Sequence, residues 1–243
     1  MRPPPGKLPP FEPQGRALQA YQAGDVDAAV QVHCADGESE VVLAAEWFRA
    51  GEAFEDWERV ALETCAGTVV DLGAGAGCHA LELQRRGHAV LALDTDARSV
   101  DVQRTRGVVA ARVGSLGSLG DACADTVLLL QHGVGLAGDL AGLRWLLGEV
   151  RRVLRPGGAL LLDGRGPDHV EAHELAAARD DDYPGVAELW MSHGPFVGAV
   201  FPWLVVDAER FGQVARRAGL TADVLHREPD GRWLARARPA TTA

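Results

Sequence analysis

Residues 69–80 combine side-chain types and spacings that suit binding chemistry. They read V-V-D-L-G-A-G-A-G-C-H-A, so an apolar run ends at Asp71, three alternating glycines follow, and a helical pattern then begins. Glycine lacks a Cβ, which lets a ligand lie against the main chain. The three glycines are Gly73, Gly75 and Gly77. Asp94 ends a second apolar run, at a spacing that suits a carboxylate accepting two hydrogen bonds from a ribose diol. The pattern predicts a site for an adenosine-containing cofactor.

The class of cofactor depends on which glycines carry the motif. Residues 75–80 satisfy G-x-G-x-x-A, the pattern of dinucleotide-binding folds. The other frame, D-x-G-x-G-x-G from Asp71, sets a carboxylate where an anionic pyrophosphate is disfavoured and the ammonium group of S-adenosylmethionine is favoured. A dinucleotide oxidoreductase would also need a downstream Tyr/Lys pair or its equivalent. The only lysine is Lys7, and the only tyrosines are Tyr21 and Tyr183.

In the second frame the chain resembles the class I S-adenosylmethionine-dependent methyltransferases. Residues 124–131 (A-D-T-V-L-L-L-Q) resemble their fourth strand, and residues 151–163 (R-R-V-L-R-P-G-G-A-L-L-L-D) resemble their helix, turn and fifth strand. The stretches E-W-F-R, Q-H-G-V-G-L-A-G and D-G-R-W-L-A-R are similar to a bacterial group of these enzymes with unassigned substrate. The resemblance implies an α/β fold. Its Rossmann-like, seven-stranded, mostly parallel sheet would have an antiparallel C-terminal hairpin and helices on both faces.

The resemblance also implies a reaction. S-adenosyl-L-methionine is the expected cofactor, and the expected activity is transfer of its methyl group to a small-molecule acceptor by in-line displacement. The alternative is a protein that keeps the fold without the transferase chemistry, such as a cofactor-bound cyclase or a binding module. No metal-ligand spacing is present in the sequence, so metal assistance is not expected.

The resemblance places a set of residues around the cofactor. Asp71 is expected to face the methionine ammonium group, Asp94 to hold the ribose diol and Thr95 to flank the adenine. The loop after the third core strand lacks the acid that often receives the adenine amino group, so Ser115 is expected to serve there. The expected cofactor-binding residues are Asp71, Gly73, Ala74, Gly75, Gly77, His79, Asp94, Thr95, Ser115, Leu116 and Gln131.

Other residues are expected on the acceptor side. His132, just past the fourth core strand, is the first candidate for a general base, and His193 is the second. Each is also compatible with an ordinary structural role. Arg49, in E-W-F-R, is expected to reach over the site and pair with a carboxylate. Trp190 and Trp203 are expected to form a floor or cap for the acceptor, with a hydrophobic patch completing the core as the alternative.

The elements that must position these residues follow from hydrophobic periodicity. We expect a disordered proline-rich tail over residues 1–13 and a helical N-terminal lid over residues 14–65, with a possible short strand near residues 28–33. The methyltransferase core is expected over residues 66–243. Its alternating strands and helices predict a parallel sheet with right-handed crossovers. A cap insertion is expected at about residues 164–206, and its later part can form a hairpin.

Charge and composition limit the partners and the compartment. The chain has 34 acidic and 24 basic residues, a balance that argues against a broad basic surface for nucleic acid. Its four cysteines show no C-x-x-C spacing, which indicates free thiols of a reducing compartment. No apolar run approaches the roughly twenty residues of a membrane span, and no apolar signal segment is present near the start. We therefore expect a cytoplasmic protein that binds a small molecule, with no indication of its oligomeric state.

Overall fold

The computed structural model describes residues 6–167 and 183–240. The α-helices within these ranges are α1 (Glu12–Gln22), α2 (Asp56–Thr64), α3 (Cys78–Arg85), α4 (Ala97–Arg106), α5 (Leu140–Val153) and α6 (Ala208–Arg217). The strands are β1 (Ala29–Cys34), β2 (Ser39–Leu43), β3 (Thr68–Leu72), β4 (Ala89–Asp94), β5 (Ala111–Val113), β6 (Ala124–Leu129), β7 (Leu154–Arg165), β8 (Val186–His193), β9 (Phe196–Val197), β10 (Phe201–Leu204), β11 (Leu220–Arg227) and β12 (Arg232–Pro239). Short 3-10 helices lie at Ala44–Trp47, Gly51–Ala53, Leu116–Ser118 and Gly133–Ala137.

The larger sheet has seven strands in the order β11-β12-β7-β6-β3-β4-β5. Strand β6 runs parallel to both β3 and β7, and β4 runs parallel to β5. Strand β12 is antiparallel to β7 and to β11, which form the C-terminal end of the sheet. The Rossmann-like, mostly parallel sheet with an antiparallel C-terminal hairpin is therefore confirmed.

A smaller sheet has the order β10-β8-β1-β2, with β9 paired to β8. Strand β1 lies where the sequence allows a short strand, because Val30 and Val32 alternate with polar residues at the period of a strand. Strand β1 pairs antiparallel with β8, so that Cys34 lies opposite Leu189. The segment expected as a helical lid thus contains a β-hairpin between α1 and α2. Residues 168–182 of the expected cap lie outside the described residues.

The proline-rich start has hydrogen-bonded structure from Leu8 onward. Leu8 forms a parallel bridge with Gly198, and its carbonyl accepts a hydrogen bond from Ala199 N at 2.8 Å. Helix α1 begins at Glu12, with Pro13 in its first turn, where proline's missing N–H has no intrahelical partner to lose. A disordered tail was expected over residues 1–13, and of these residues 1–5 lie outside the described part.

Helix α5 illustrates how the sequence sets the packing. The Asp139 carboxylate caps it by accepting a hydrogen bond from Gly142 N at 2.6 Å. Its buried side chains recur at intervals of three and four residues, while Trp145 on the other face is 61% exposed. Burying each large aliphatic side chain contributes roughly 1.5–3 kcal/mol. The buried face is formed by Leu140, Leu143, Leu146, Leu147, Val150 and Val153.

Internal contacts divide the chain into two compact units. The first comprises Met1–Phe54, Gly73–Ser115 and Ala187–Pro202, and the second comprises Glu55–Leu72, Leu116–Val186 and Trp203–Ala243. Among the described residues, no helix is long and apolar enough to cross a membrane.

Candidate functional site

The glycine loop, residues 73–77 of the first unit, adopts a backbone conformation that favours glycine. The positive φ angles are +68° at Gly73, +54° at Gly75 and +80° at Gly77. A residue with a Cβ pays roughly 1–2 kcal/mol for such an angle. Two main-chain hydrogen bonds hold the loop, from Ala74 N to Leu93 O at 3.0 Å and from Gly77 N to Ala74 O at 2.7 Å. Helix α3 begins directly after it, as the sequence predicts.

Asp94, the last residue of β4, lies beside this loop. Its Oδ2 accepts a hydrogen bond from Gly75 N at 2.9 Å, and its Oδ1 accepts one from Asp96 N at 2.9 Å. Desolvation raises the pKa of the Asp94 carboxyl to about 6, although these backbone hydrogen bonds act in the opposite direction. A carboxylate offers about four acceptor positions, so acceptor capacity remains after the two backbone contacts. Thr95 follows directly, before the helix cap at Asp96.

Gln103 supports the loop from helix α4. Its side chain is fully buried, and Nε2 donates a hydrogen bond to Gly75 O at 2.9 Å. A Cβ added at Gly77 would lie 3.2 Å from the Gln103 Cγ. The glycine loop is therefore held by a carboxylate that accepts from its N–H and by an amide that donates to its carbonyl.

Two predicted residues of the first unit make local contacts. Nε of Arg49 donates to Glu46 O at 2.9 Å and lies 3.6 Å from the Glu46 carboxylate, while Nη1 donates to Ala53 O at 3.4 Å. The guanidinium thus braces its own turn. His79, in the first turn of α3, is buried and stacks on the Phe54 ring with centroids 5.4 Å apart.

Ser115 and Leu116 follow β5 in the chain. The N–H of Gly114, just before Ser115, donates to Asp94 O at 2.9 Å, which brings the end of this strand next to β4. Leu116 belongs to the second unit, where its side chain is buried and its carbonyl accepts a hydrogen bond from Arg152 Nη2 at 3.0 Å.

In the second unit, the chain turns sharply after β6. Gln131 and His132 have φ angles of +67° and +59°, which are unusual for residues with a Cβ. The buried Asp163 carboxylate at the end of β7 accepts hydrogen bonds from His132 N at 2.9 Å and Gly133 N at 3.0 Å. Gln131 Nε2 donates to Oε1 of the buried Glu58 at 2.8 Å. The turn is therefore fixed by two buried carboxylates, Glu58 and Asp163.

Arg232 of β12 completes this cluster. Nη1 donates to Asp163 Oδ2 at 2.7 Å, and Nη2 lies 2.8 Å from His132 Nε2. Arginine is always protonated and only donates, so His132 accepts through Nε2 and carries its proton on Nδ1. The guanidinium also lies 4.6 Å from the centroid of the Trp57 ring. Nε2, the nitrogen of His132 that would act as a base, is therefore already engaged by the Arg232 guanidinium.

Two further predicted residues belong to the second unit. Asp71 is buried in β3, opposite Leu128 of β6. Trp203 packs its indole against Gly135, and a Cβ at Gly135 would overlap the ring. Glycine is required at this position by the close approach of the indole.

The second candidate base, His193, lies in the smaller sheet. Its Nδ1 is 2.8 Å from Ala29 O, and because a carbonyl only accepts, Nδ1 carries the proton and Nε2 presents its lone pair. Trp190, three residues earlier, is buried and stacks parallel to the His33 ring at 5.0 Å. His33 Nε2 in turn lies 2.9 Å from Ser192 Oγ.

The structure thus brings the glycine loop and Asp94 together in the first unit, and Gln131 and His132 together in the second. Sequence reasoning missed Gln103 and Arg232. Gln103 had one signal, a polar residue three positions after Val100 on the apolar face of a helix. No group of three or more His, Cys, Asp or Glu side chains suited to a metal ion occurs in the described ranges 6–167 and 183–240.

Comparisons with known proteins identify the type of domain. A methyltransferase domain family matches residues 70–162. A crystal structure of a SAM-dependent methyltransferase from Bacteroides fragilis, in complex with S-adenosyl-L-homocysteine, superimposes with a TM-score of 0.85 at 29% identity. The match covers 96% of this chain and 98% of that chain. No curated protein matches the sequence.

More distant structures share the fold. The sugar N-methyltransferase KedS8 from Streptoalloteichus has a TM-score of 0.55 at 17% identity, over 76% of this chain and 85% of its own. The Burkholderia thailandensis 1,6-didemethyltoxoflavin-N1-methyltransferase has a TM-score of 0.52 at 17% identity, over 77% of this chain and 80% of its own. The domain-family match and the Bacteroides fragilis structure identify the chain as a class I S-adenosylmethionine-dependent methyltransferase that uses S-adenosylmethionine as its cofactor.

Proposed function

We propose that this methyltransferase acts on a small-molecule acceptor, and that the glycine loop and Asp94 hold its cofactor. The proposal for the cofactor site rests on the contact between Asp94 Oδ2 and Gly75 N at 2.9 Å. This contact places a carboxylate that can accept further hydrogen bonds beside a loop that a ligand can approach closely. A ribose diol supplies the two hydroxyl donors that such a carboxylate accepts. The residues present therefore fit the cofactor.

When bound, S-adenosylmethionine supplies a methyl group already activated on a sulfonium. The chain's own task is then to align the acceptor and to exclude water, and such positioning contributes roughly 7–11 kcal/mol to lowering a barrier. Rigid support for the loop comes from Asp94 and Gln103, which bind opposite ends of the same Gly75 backbone unit. The other members of the proposed cofactor set are Asp71, Gly73, Ala74, Gly77, His79, Thr95, Ser115, Leu116 and Gln131.

The net charge of the chain favours a small-molecule acceptor over a nucleic acid. The formal net charge is −10, which opposes electrostatic attraction of nucleic acid. The fold is shared with enzymes whose names record a sugar and 1,6-didemethyltoxoflavin as acceptors. All four cysteines are free thiols, which supports the proposed cytoplasmic location.

We also propose that the chain divides into a tail (residues 1–13), a lid (14–65) and a core (66–243) with a cap (about 164–206). One structural observation supports a link between the lid and the cap. Strands β1 and β8 are hydrogen-bonded neighbours in the smaller sheet. The proposed lid and the proposed cap are therefore joined through main-chain hydrogen bonds, and we propose Arg49, Trp190 and Trp203 as their acceptor-side residues.

For an acceptor that must lose a proton, we favour His193 over His132 as the base. The sequence favours His132 by position, but its Nε2 accepts from Arg232. The hydrogen bond from Nδ1 of His193 to the Ala29 carbonyl sets the tautomer of the ring, so the basic nitrogen is Nε2, which takes no part in that hydrogen bond. Proton removal by a positioned imidazole contributes roughly 10²–10⁴ in rate.

Two measurements test the proposed function. Incubation with methyl-labelled S-adenosylmethionine and a host metabolite extract should give S-adenosylhomocysteine and label in the small-molecule fraction; label confined to protein or nucleic acid would refute the acceptor class. Calorimetry should show that Asp94→Ala weakens S-adenosylhomocysteine binding by about 1.5–3 kcal/mol for each charge-assisted hydrogen bond lost. The control is Asp101→Ala on α4, whose side chain is 63% exposed. An unchanged dissociation constant for Asp94→Ala would show that Asp94 is not the ribose ligand.

A further inference from the structure

A single side chain borders the space that a Cβ at Gly75 would enter. A Cβ built on Gly75 would lie 3.3 Å from Cδ1 and 3.9 Å from Cγ of Trp47, and no other described atom outside the loop's own neighbours comes within 4 Å of it. Trp47 ends the 3-10 helix Ala44–Trp47, far from the loop in sequence. A ligand lying against the main chain at Gly75 in this space therefore meets the indole of Trp47.

Arg106, the last residue of α4, ties the Trp47 segment to the loop. Its Nη1 donates to Ala76 O at 2.7 Å and to Trp47 O at 3.3 Å, and Nη2 donates to Phe48 O at 3.2 Å. The guanidinium also lies 4.4 Å from the centroid of the Phe48 ring. One planar group thus binds three carbonyls, one in the loop and two in the segment that carries the indole.

This arrangement requires arginine chemistry. A guanidinium presents five donors in a fixed fork and stacks on an aromatic face, whereas a lysine ammonium is a single point with a strong hydration shell. The Phe48 ring also packs against the Tyr21 ring of α1, with centroids 4.5 Å apart. Phe48 is therefore held by contacts with both Arg106 and Tyr21, and the neighbouring Trp47 has a defined place over Gly75.

We propose that Trp47 is a cofactor-contact residue and that Arg106 is the positioning residue that holds it against the glycine loop. The proposal rests on the proposed function, in which this loop binds the cofactor. The indole supplies a flat apolar wall that excludes water from the ligand, and a tryptophan face is also the aromatic surface that attracts cations best. Arg106 acts only through its carbonyl contacts and touches no reacting atom.

Binding of S-adenosylhomocysteine to Trp47→Ala, Arg106→Met and the double variant tests the proposal by calorimetry. Each single variant should bind at least about tenfold more weakly than the wild type. The double variant should be no weaker than the weaker single variant, because both changes remove the same contact; independent effects would multiply to about hundredfold. Arg104→Met is the matched control, since this arginine lies on the same helix, is exposed and contacts Asp101 and Ala111 O. Arg106→Lys, which keeps the charge but not the fork, should match Arg106→Met and replaces it if that variant fails to fold.

Fluorescence gives a readout that a purely structural role would not move. S-adenosylhomocysteine should change the tryptophan emission of the wild type and of Trp145→Phe, but much less that of Trp47→Phe. Wild-type affinity in Trp47→Ala, or an equal emission change in Trp47→Phe, overturns the contact. Multiplying effects in the double variant overturn the positioning role of Arg106. Failure of the wild type itself to bind S-adenosylhomocysteine would instead refute the proposed function.

Discussion

Nη2 of Arg232 lies 2.8 Å from Nε2 of His132, while Nη1 of the same guanidinium binds the buried Asp163 carboxylate at 2.7 Å. The imidazole therefore accepts from a permanent cation through the nitrogen that a base would use. Asp163 also holds the two backbone N–H groups at His132 and Gly133. His132 therefore connects the Arg232 guanidinium to the turn after β6, where its own backbone has a positive φ angle.

The first prediction separates the two histidines. With an acceptor that must lose its proton, His193→Ala should lower the single-turnover rate by about 10²–10⁴ with little change in S-adenosylhomocysteine affinity. His132→Gln, which retains an acceptor for Arg232, should lower it by less than about tenfold. A large loss in His132→Gln together with a normal rate in His193→Ala would return the base role to His132.

The second prediction concerns pH. Desolvation raises the pKa of Asp94 to about 6. Because the ionised carboxylate accepts the ribose hydroxyls, S-adenosylhomocysteine affinity should fall as the pH drops below about 6, by up to about tenfold per unit. Asp94→Asn should bind weakly with a flat profile, which calorimetry between pH 5 and 8 measures. An identical slope in the wild type and Asp94→Asn would assign the titration to another group.

Folding stability should show the opposite sign at this residue. The pKa of Asp94 is about 6 in the folded chain and its ordinary value is 3.8, so the folded state binds the proton more tightly. The contribution of Asp94 to stability is therefore complete below its ordinary pKa and is lost as the pH rises through about 6. Denaturant unfolding of the free protein and of Asp94→Asn across this range checks the sign.

The third prediction addresses the buried pair at the turn after β6. Asp163→Ala leaves Arg232 and two backbone N–H groups without their acceptor, which should lower the free energy of unfolding by about 3–5 kcal/mol. Asp223→Ala is the control, because that carboxylate is 44% exposed in its pairs with Arg236 and Arg238 and should cost less than about 1 kcal/mol. If urea titrations gave equal decreases in the free energy of unfolding for the two variants, burial of Asp163 would not make its contacts more stabilising than those of the exposed Asp223.

The fourth prediction compares two glycines. A Cβ at Gly135 would overlap the Trp203 indole, so Gly135→Ala should destabilise the protein by about 1–3 kcal/mol. Gly148 lies inside α5 with open space at its Cβ position, and Gly148→Ala should stabilise the protein by about 0.5–1 kcal/mol. Thermal unfolding measures both. A neutral Gly135→Ala would mean that Trp203 moves aside at little cost.

The sequence predicts those parts of the fold that depend on local pattern. Residues 69–80 indicate a strand, a glycine turn and a helix because turn chemistry and periodicity are written in neighbouring residues, and the turn has the positive φ angles expected at its glycines. Asp94 ends the next apolar run, and in the structure its carboxylate lies beside the loop and accepts a hydrogen bond from Gly75 N, while its contact with a ribose diol stays a prediction. Local sequence pattern therefore accounts for the strand, the glycine turn, the helix and the position of Asp94 at the end of β4.

The remaining contacts depend on tertiary placement. Arg106 and Arg232 are ordinary arginines in the sequence, one at a helix end and one at a strand start, and their acceptors lie far along the chain. Nothing local distinguishes them from the exposed Arg104. The pairing of β1 with β8 is hidden for the same reason, since register between distant strands is set by the packed sheet and not by either segment.

The smaller sheet also imposes an order of events during synthesis. Its strands β1 and β2 leave the ribosome together and can pair at once as a hairpin, but β8 follows only after β3 to β7 have been made. Until then one edge of β1 offers its main-chain groups to any strand nearby, a situation that favours wrong pairing. Pairing with β8 ends that exposure, so this sheet can close only after the strands β3 to β7 of the larger sheet have been made.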